Sequence, residues 1–206
     1  MNIITISREF GSGGRELGKR LAEHLGWDYY DSEIIARVAK ESGMDAEYLE
    51  NTLSNQEWIQ THLTYRNTLS SAGYVQSAKV ELLLKQKEVI EGIAARGRNC
   101  VIVGRNADVL LREQEPFNVF VCASQEAKLQ RCRQRAPEGE NLTDKELLRK
   151  MKQIDKVRSQ TREILTGSDW GQRDQYHLSV NTTNWNIKEL VPAVADFALR
   201  WFGRKA

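Results

Sequence analysis

Residues 2–17 of the 206-residue chain read NIITISREFGSGGREL. The run from Asn2 to Ile6 is rich in β-branched residues, which is typical of a strand buried on both faces. Three glycines within residues 11–14 then interrupt the chain before a helical pattern begins at Leu17. A glycine-rich turn between a buried strand and a helix can surround an anion with backbone N–H groups and with the positive end of the helix dipole.

This turn meets the general phosphate-loop pattern G-x-x-x-x-G-K-[ST] only in part. Arg8 occupies the position of the first glycine, Gly14 occupies the position of the lysine, and Arg15 follows it. Either Arg15 or Arg8 would have to replace the lysine, and arginine is suited to this because its planar fork binds phosphate oxygens in pairs. A glycine-rich turn that binds no ligand is the alternative interpretation at this point.

Strands and helices alternate along the rest of the chain. Further strands are expected at 27–30, 100–103, 119–122 and, more weakly, 178–180, with helices between them. The stretch 45–98 is long, polar and mainly helical, with a break near 70–73. The alternation predicts an α/β fold with a parallel sheet covered by helices on both faces. Such sheets bind ligands at the carboxyl ends of their strands.

Composition limits the class of protein. The 30 Lys and Arg residues nearly balance the 28 Asp and Glu residues, so the net charge is only +2 and no overall basic field indicates a nucleic-acid or membrane partner. The cysteines Cys100, Cys122 and Cys132 have no metal-ligand spacing and form no disulfide framework, which favours a reducing, cytoplasmic compartment. The apolar run at residues 3–6 is too short for a signal peptide or a membrane span. A single domain is expected.

Motifs follow one another in order over nearly the whole chain. They are Ile4 to Leu17, Tyr30-Asp31, Val101 to Asp108, Ala123-Ser124-x-Glu126 with Arg131, Asp155-Lys156-x-Arg158, Trp170-Gly171 and Tyr176 to Asn181. This set resembles the cytidylate kinase-like family, relatives of bacterial cytidylate kinase within the P-loop kinases. The similarity is weakest over 45–74, and Met151 stands where cytidylate kinases carry another arginine.

The resemblance implies a P-loop NTPase fold with a five-stranded parallel sheet flanked by helices. It implies one kinase-like domain with a core of 1–44, 99–132 and 167–206. A helical insertion that binds a nucleoside monophosphate would span 45–98, and an arginine-bearing lid would span 133–166.

The activity that the resemblance implies is ATP-dependent phosphoryl transfer to a nucleoside monophosphate or a similar small phosphate acceptor. The implied cofactors are ATP and Mg²⁺, and the implied partners are nucleotide substrates, with no nucleic acid and no membrane; a homo-oligomer is left open. No protein metal ligands are predicted. The alternative is a catalytically weak, nucleotide-binding regulatory module that retains the fold, because Gly14 stands in the lysine position.

The resemblance also assigns residues to roles. The expected catalytic residues are Arg15, Arg105, Asp155 and Arg158. The expected nucleotide-binding residues are Gly11, Ser12, Gly13, Gly14, Arg15, Glu16 and Arg131. The expected acceptor-binding residues are Asp31, Arg105, Asn106 and Arg158.

Four of these residues have simpler interpretations. Arg105 could pair with Asp108 at the surface, and Asp31 could cap a helix. Asp155 and Arg158, three residues apart, could be a solvated pair on one helix face.

Overall fold

The structure is a computed structural model that describes residues 1–31, 71–135 and 142–204; in the helix that begins at Ser71 it describes side chains from residue 83 onward. The chain divides into two compact units. One is formed by Met1–Asp31 with Gly97–Ala206, and the other by Ser32–Arg96. The expected boundaries of the core, the insertion and the lid stay predictions.

Five parallel strands form one sheet in the order β2-β3-β1-β4-β5. The strands are β1 (Ile3–Arg8), β2 (Asp28–Tyr30), β3 (Cys100–Val103), β4 (Phe117–Cys122) and β5 (Leu178–Asn181). This confirms the predicted α/β fold. β4 begins at Phe117 rather than at Val119, because Phe117 is itself fully buried in the core.

β1 lies at the centre of the sheet. Ile6 pairs with Val103 of β3 on one side and with Val119 of β4 on the other. Ile4 and Ile6 are completely buried. A central strand of a parallel sheet has apolar neighbours on both faces, which is why the β-branched run at the start of the chain forms it. β1 therefore fixes the position of the residues that follow it.

The helices of the described residues surround this sheet or belong to the second unit. They are α1 (Gly14–Leu25), α2 (Ser71–Ala95, in the second unit), α3 (Ala107–Leu110), α4 (Gln125–Gln134), α5 (Asp144–Thr166) and α6 (Ile187–Gly203). Short 3₁₀ turns lie at Arg112–Gln114 and Arg173–Gln175. α1 and α6 pack against each other. Within 1–31, 71–135 and 142–204, no helix has both the length and the apolar character to cross a bilayer.

Two expectations about helices have different outcomes. α5 begins with the predicted capping box, in which Glu146 N donates to Thr143 Oγ1 and Thr143 N donates to Glu146 Oε2 at 2.8 Å. Of the expected break near 70–73, Gly73 lies inside α2, which begins at Ser71, and residue 70 lies outside the described residues. One helical glycine costs only about 1 kcal/mol, which the neighbouring turns outweigh. The helix expected after Asp31 lies outside the described residues.

α1 comes closest to the sheet at Gly18. A Cβ atom on Gly18 would lie 2.5 Å from Val103 Cγ2 and 3.1 Å from Ile6 Cδ1. We therefore expect Gly18→Ala to overpack the core and to lower the free energy of unfolding by about 1–3 kcal/mol. Urea denaturation measures the change.

Gly92→Ala is the matched control in α2, because a Cβ atom there would meet nothing within 4 Å. Alanine favours the helix, so this variant should gain about 0.5–1 kcal/mol. A stabilising effect at both glycines would contradict the close approach of α1 to β1 and β3.

Candidate functional site

The carboxyl ends of the strands bring several predicted site residues to one edge of the sheet. β1 ends at Arg8, Asp31 follows β2, and Gly104-Arg105 follows β3. Arg105 lowers and Asp31 raises the pKa of Arg8 through their charges, so both lie within electrostatic range of its guanidinium group. This edge is where parallel α/β sheets bind their ligands.

The loop 9–13 leads from β1 into α1. Gly13 is the N-cap, with φ 84°, and a Cβ atom there would lie 2.6 Å from Ile187 Cδ1, so only glycine fits. No side chain of the described residues caps α1. The first amide groups of a helix have no partner inside it, and Gly14 and Glu16 contribute two of them. An anion at this helix start could accept hydrogen bonds from these groups.

Arg8 runs from the end of β1 across the start of α1. Its stem passes over Gly14, and its guanidinium group lies against Gly104. Burial and the positive charges of Arg158 and Arg105 lower the pKa of Arg8 well below its usual value. Three arginines thus lie within electrostatic range of one another at the glycine-loop end of the sheet.

Arg158 of α5 is bonded to the loop. Its Nη1 atom donates to the carbonyl oxygen of Arg8 at 2.9 Å and to Asp155 Oδ1 at 2.9 Å. Asp155 Oδ1 also accepts from the Phe10 amide at 2.8 Å. Burial raises the pKa of Asp155, and burial lowers that of Arg158. The two side chains are therefore more than a solvated helix pair, because they join α5 to the loop.

Arg105 and Asn106 leave β3 in an uncommon backbone conformation. Their φ values are 59° and 52°, and Gly104 before them has φ 78°. Such left-handed conformations in non-glycine residues cost free energy and concentrate at functional sites. The turn takes the chain out of the core, and α3 begins directly after it.

Arg15 and Asp31 form a pair. Asp31 Oδ2 accepts from Arg15 Nε at 2.8 Å and from the Tyr29 hydroxyl at 3.0 Å. The Asp31 side chain is 4% exposed, whereas that of Arg15 is 56% exposed. Burial and the charge of Asp31 raise the pKa of Tyr29 to about 12, so the phenol keeps its proton as a donor. The structure places Arg15 on the expected acceptor-binding carboxylate, and its expected role at the triphosphate stays a prediction.

Glu16 lies between two arginines at the start of α1. Arg20 Nε donates to it at 2.7 Å, and Arg135 forms a second ion pair. Burial alone would raise the pKa of Glu16, but the hydrogen bond from Arg20 and the charge of Arg135 lower it. The carboxylate is thus ionised in the first turn, where it also interacts favourably with the helix dipole.

Arg131 of α4 binds backbone oxygens around the loop. Its guanidinium group donates to the carbonyl oxygens of Ser12 at 3.4 Å, of Thr182 at 2.5 Å and of Trp185 at 3.3 Å. The Thr182 hydroxyl donates to the same Ser12 oxygen at 2.7 Å. Arg131 therefore ties the glycine loop to the segment after β5, and its expected contact with nucleotide stays a prediction.

Two ion pairs near the site were not expected from the sequence. Lys128 Nζ donates to Glu9 Oε2 at 2.9 Å and fixes the loop to α4. Lys128 and Arg131 are three positions apart on α4, and this spacing is a signal that both face the loop.

The second pair joins Arg162 of α5 to Asp108 of α3, with side chains 6% and 2% exposed. Asp108 therefore forms its ion pair with Arg162 of α5. It is not the surface partner of Arg105 that the simpler interpretation expected. No local pattern indicates a contact between residues 54 positions apart.

A cavity of about 320 Å³ lies beside the site, between α4 and α5. Its wall includes Lys128, Asp155 and Trp170, together with Met151. Met151, at the position where cytidylate kinases carry an arginine, is 3% exposed. Among the residues that the structure describes, no group of three or more His, Cys, Asp or Glu side chains could hold a metal ion.

The role of Arg131 in the fold can be tested against Arg133 of the same helix. Arg131→Ala removes the donor to three carbonyl groups, one of which belongs to fully buried Thr182. We expect a loss of about 1–3 kcal/mol in the free energy of unfolding, measured by urea denaturation.

Within the part of the chain that the structure describes, Arg133 pairs only with exposed Asp144, at 2.6 Å, so Arg133→Ala should cost less than about 1 kcal/mol. Equal losses in the two variants would mean that Arg131 does not hold the loop.

Comparison with known proteins agrees with this geometry. The family model described as the cytidylate kinase-like family matches residues 3–184. A curated cytidylate kinase from Flavobacterium psychrophilum is 24% identical, and the match covers 87% of this chain and 93% of the relative. The family match supports a kinase-like function toward a nucleotide or another small molecule.

Solved structures agree in fold. A protein of unknown function from Eubacterium ventriosum has a TM-score of 0.69 at 23% identity, over 96% of this chain and 98% of its own. The shikimate kinase of Bacteroides thetaiotaomicron has a TM-score of 0.56 at 14% identity, over 95% of this chain and 97% of its own. At these identities the likeness concerns the fold alone. Because the family model spans most of the sequence, from the glycine loop to the segment after β5, the chain belongs to the cytidylate kinase-like family.

Proposed function

We propose that this protein transfers a phosphoryl group from ATP to a nucleoside monophosphate or a similar small phosphate acceptor. The observation that carries the proposal is the cluster of Arg8, Arg105 and Arg158 beside an uncapped helix start. Phosphoryl transfer depends mainly on positioning and on neutralising the charge of the phosphate oxygens. Guanidinium groups suit this task because they bind those oxygens in pairs.

In the proposed reaction an oxygen of the acceptor phosphate attacks the γ-phosphorus of ATP. One P–O bond forms, the bond from the γ-phosphorus to the β–γ bridging oxygen breaks, and ADP leaves with that bonding pair. Arg105 and Arg158 neutralise charge on the group in transit. The amides of residues 13–16 hold the donor phosphates, as expected for Gly11, Ser12, Gly13, Gly14 and Glu16 as a nucleotide-binding loop.

A phosphate acceptor needs no strong general base. The second pKa of a phosphate monoester is near 6, so its oxygens are largely deprotonated at neutral pH. Asp31 is already bonded to Arg15 and Tyr29, and Asp155 is bonded to Arg158 and to the Phe10 amide. We propose that Asp31 and Asn106 orient the acceptor and that Asp155 positions Arg158.

The donor and its metal ion fit these residues. When bound, ATP would supply the phosphoryl group and Mg²⁺ would offset charge on its phosphate oxygens. Mg²⁺ in such sites is held largely by phosphates and water with one or two carboxylates. Glu16, ionised at the start of α1, is the described carboxylate placed to contribute, although it would have to exchange part of its pairing with Arg20 and Arg135.

The second candidate is a nucleotide-binding module with little or no turnover. The observation in its favour is Gly14, which leaves the loop without a lysine of its own. This candidate shares ATP binding with the first and differs from it in phosphoryl transfer.

Assays with ATP, Mg²⁺ and a panel of nucleoside monophosphates distinguish the two. We expect ADP formation that depends on one of the monophosphates. Arg105→Ala and Arg158→Ala should each lower kcat about a hundredfold or more, as the loss of a transition-state donor does. The substitution should not add backbone strain at residue 105, because Arg105 is itself a non-glycine residue with a positive φ.

Arg200→Ala is the control, since Arg200 is exposed on α6 and its one ion pair among the described residues is with Asp196. It should change kcat less than twofold. Tight ATP binding without turnover on any monophosphate would contradict the kinase proposal and favour the regulatory module.

A further inference from the structure

Two departures from the phosphate-loop pattern occur together in this chain. The position of the first glycine carries Arg8, and the position of the lysine carries Gly14. One position has gained a long cationic side chain and the other has lost one. The structure gives these two changes a common physical reason.

Arg8 occupies the space that a side chain at residue 14 would need. A Cβ atom built on Gly14 would lie 2.6 Å from Arg8 Cβ and 3.0 Å from Arg8 Cγ. Real Cβ atoms essentially never approach other heavy atoms so closely. A lysine at residue 14 and an arginine at residue 8 therefore exclude each other, and the stem of Arg8 starts almost where the lysine stem would start.

The far end of Arg8 rests on a second glycine. A Cβ atom on Gly104 would overlap Nη1 of Arg8 and lie 2.6 Å from its Cζ atom. Gly104 is the residue directly after β3, and Arg105 follows it. The guanidinium group of Arg8 is therefore seated at the strand-end edge, between the glycine loop and the start of the Arg105 turn.

Asp31 attracts Arg8, but no described residue forms a salt bridge with it. Among residues 1–31, 71–135 and 142–204, no side chain or carbonyl group forms a hydrogen bond or an ion pair with its guanidinium group. Its charged neighbours include Arg105 and Arg158, which repel it, and Asp31, which is paired with Arg15. A partly buried cation in such surroundings is costly unless an anion joins it.

We propose that Arg8 has taken over the task of the phosphate-loop lysine, so that its guanidinium group binds the phosphate oxygens of the donor nucleotide from the end of β1. The stem of Arg8 excludes a side chain at Gly14, and its guanidinium group rests on Gly104, whose φ of 78° itself favours glycine. This inference rests on the proposed function and names the cation of that site.

The replacement changes the geometry of the contact. A lysine in the loop offers one compact ammonium group, whereas Arg8 offers a rigid planar fork that can bind two oxygens at once. The repulsion among Arg8, Arg105 and Arg158 is relieved when phosphate oxygens lie between them. Donor binding should therefore depend on Arg8 more strongly than on Arg15, whose side chain is bonded to Asp31.

The test measures the affinity for ATP with Mg²⁺ by calorimetry, with circular dichroism to confirm folding. We expect Arg8→Ala to weaken binding about ten- to a hundredfold, which corresponds to one charge-assisted contact. Gly14→Lys alone should also weaken binding, because the new stem collides with Arg8. The double variant Arg8→Gly with Gly14→Lys restores the general loop pattern and should recover affinity to within about tenfold of the wild type.

The outcomes separate the two proposals. A folded double variant that binds ATP no better than Arg8→Ala would overturn the exchange of roles, and so would an Arg8→Ala variant with wild-type affinity. Wild-type protein that binds ATP through Arg8 but transfers no phosphoryl group would overturn the proposed function and leave this inference standing. Wild-type protein with no affinity for ATP would overturn both.

A second pair of variants tests the seat of the guanidinium group if the double variant does not fold. In Gly104→Ala the new Cβ atom would displace the guanidinium group of Arg8, whereas in Gly97→Ala it would meet nothing within 4 Å. The two glycines have similar backbone conformations, with φ values of 78° at Gly104 and 71° at Gly97. The backbone strain is therefore matched. We expect ATP affinity to fall at least tenfold in Gly104→Ala and less than threefold in Gly97→Ala; equal affinities would contradict the proposal.

Discussion

Three guanidinium groups of like charge are held next to one another at one end of the sheet, and the surrounding structure must offset their repulsion. Arg8 ends the central strand, Arg105 follows the neighbouring strand, and Arg158 reaches the same place from α5. Burial and the other two charges lower the pKa of Arg8. Like charges held close together lower the stability of the fold. A bound phosphate would supply the negative charge that offsets their repulsion, which gives the cluster a functional reason.

The fold holds this cluster with rigid parts. β1 is paired on both edges and completely buried at Ile6, so the end of the strand cannot shift. Asp155 accepts hydrogen bonds from both Arg158 and the amide of Phe10, and it thereby links α5 to the loop. The buried pair of Arg162 with Asp108 then joins the helix that carries Arg158 to the short helix that follows Arg105. The elements that present the arginines are thus connected through side chains as well as through the sheet.

The sequence predicted the sheet more completely than the site. Buried β-branched runs and a capping box depend on local patterns, so five strands and the start of α5 could be recognised directly. The partners of Arg15 and Arg131 depend on packing between distant segments, which no local pattern encodes. Arg8 remained one of two candidates for the lysine role because its position against Gly14 and Gly104 is visible only in three dimensions.

The central claim is that the arginine cluster is a phosphate-binding site. A crystal structure of the protein with a non-hydrolysable ATP analogue, Mg²⁺ and a nucleoside monophosphate tests it most directly. The account predicts phosphate oxygens within hydrogen-bonding distance of the guanidinium groups of Arg8, Arg105 and Arg158, with the donor phosphates against the start of α1. Phosphates bound elsewhere, with these three side chains making no contact to ligand, would contradict it.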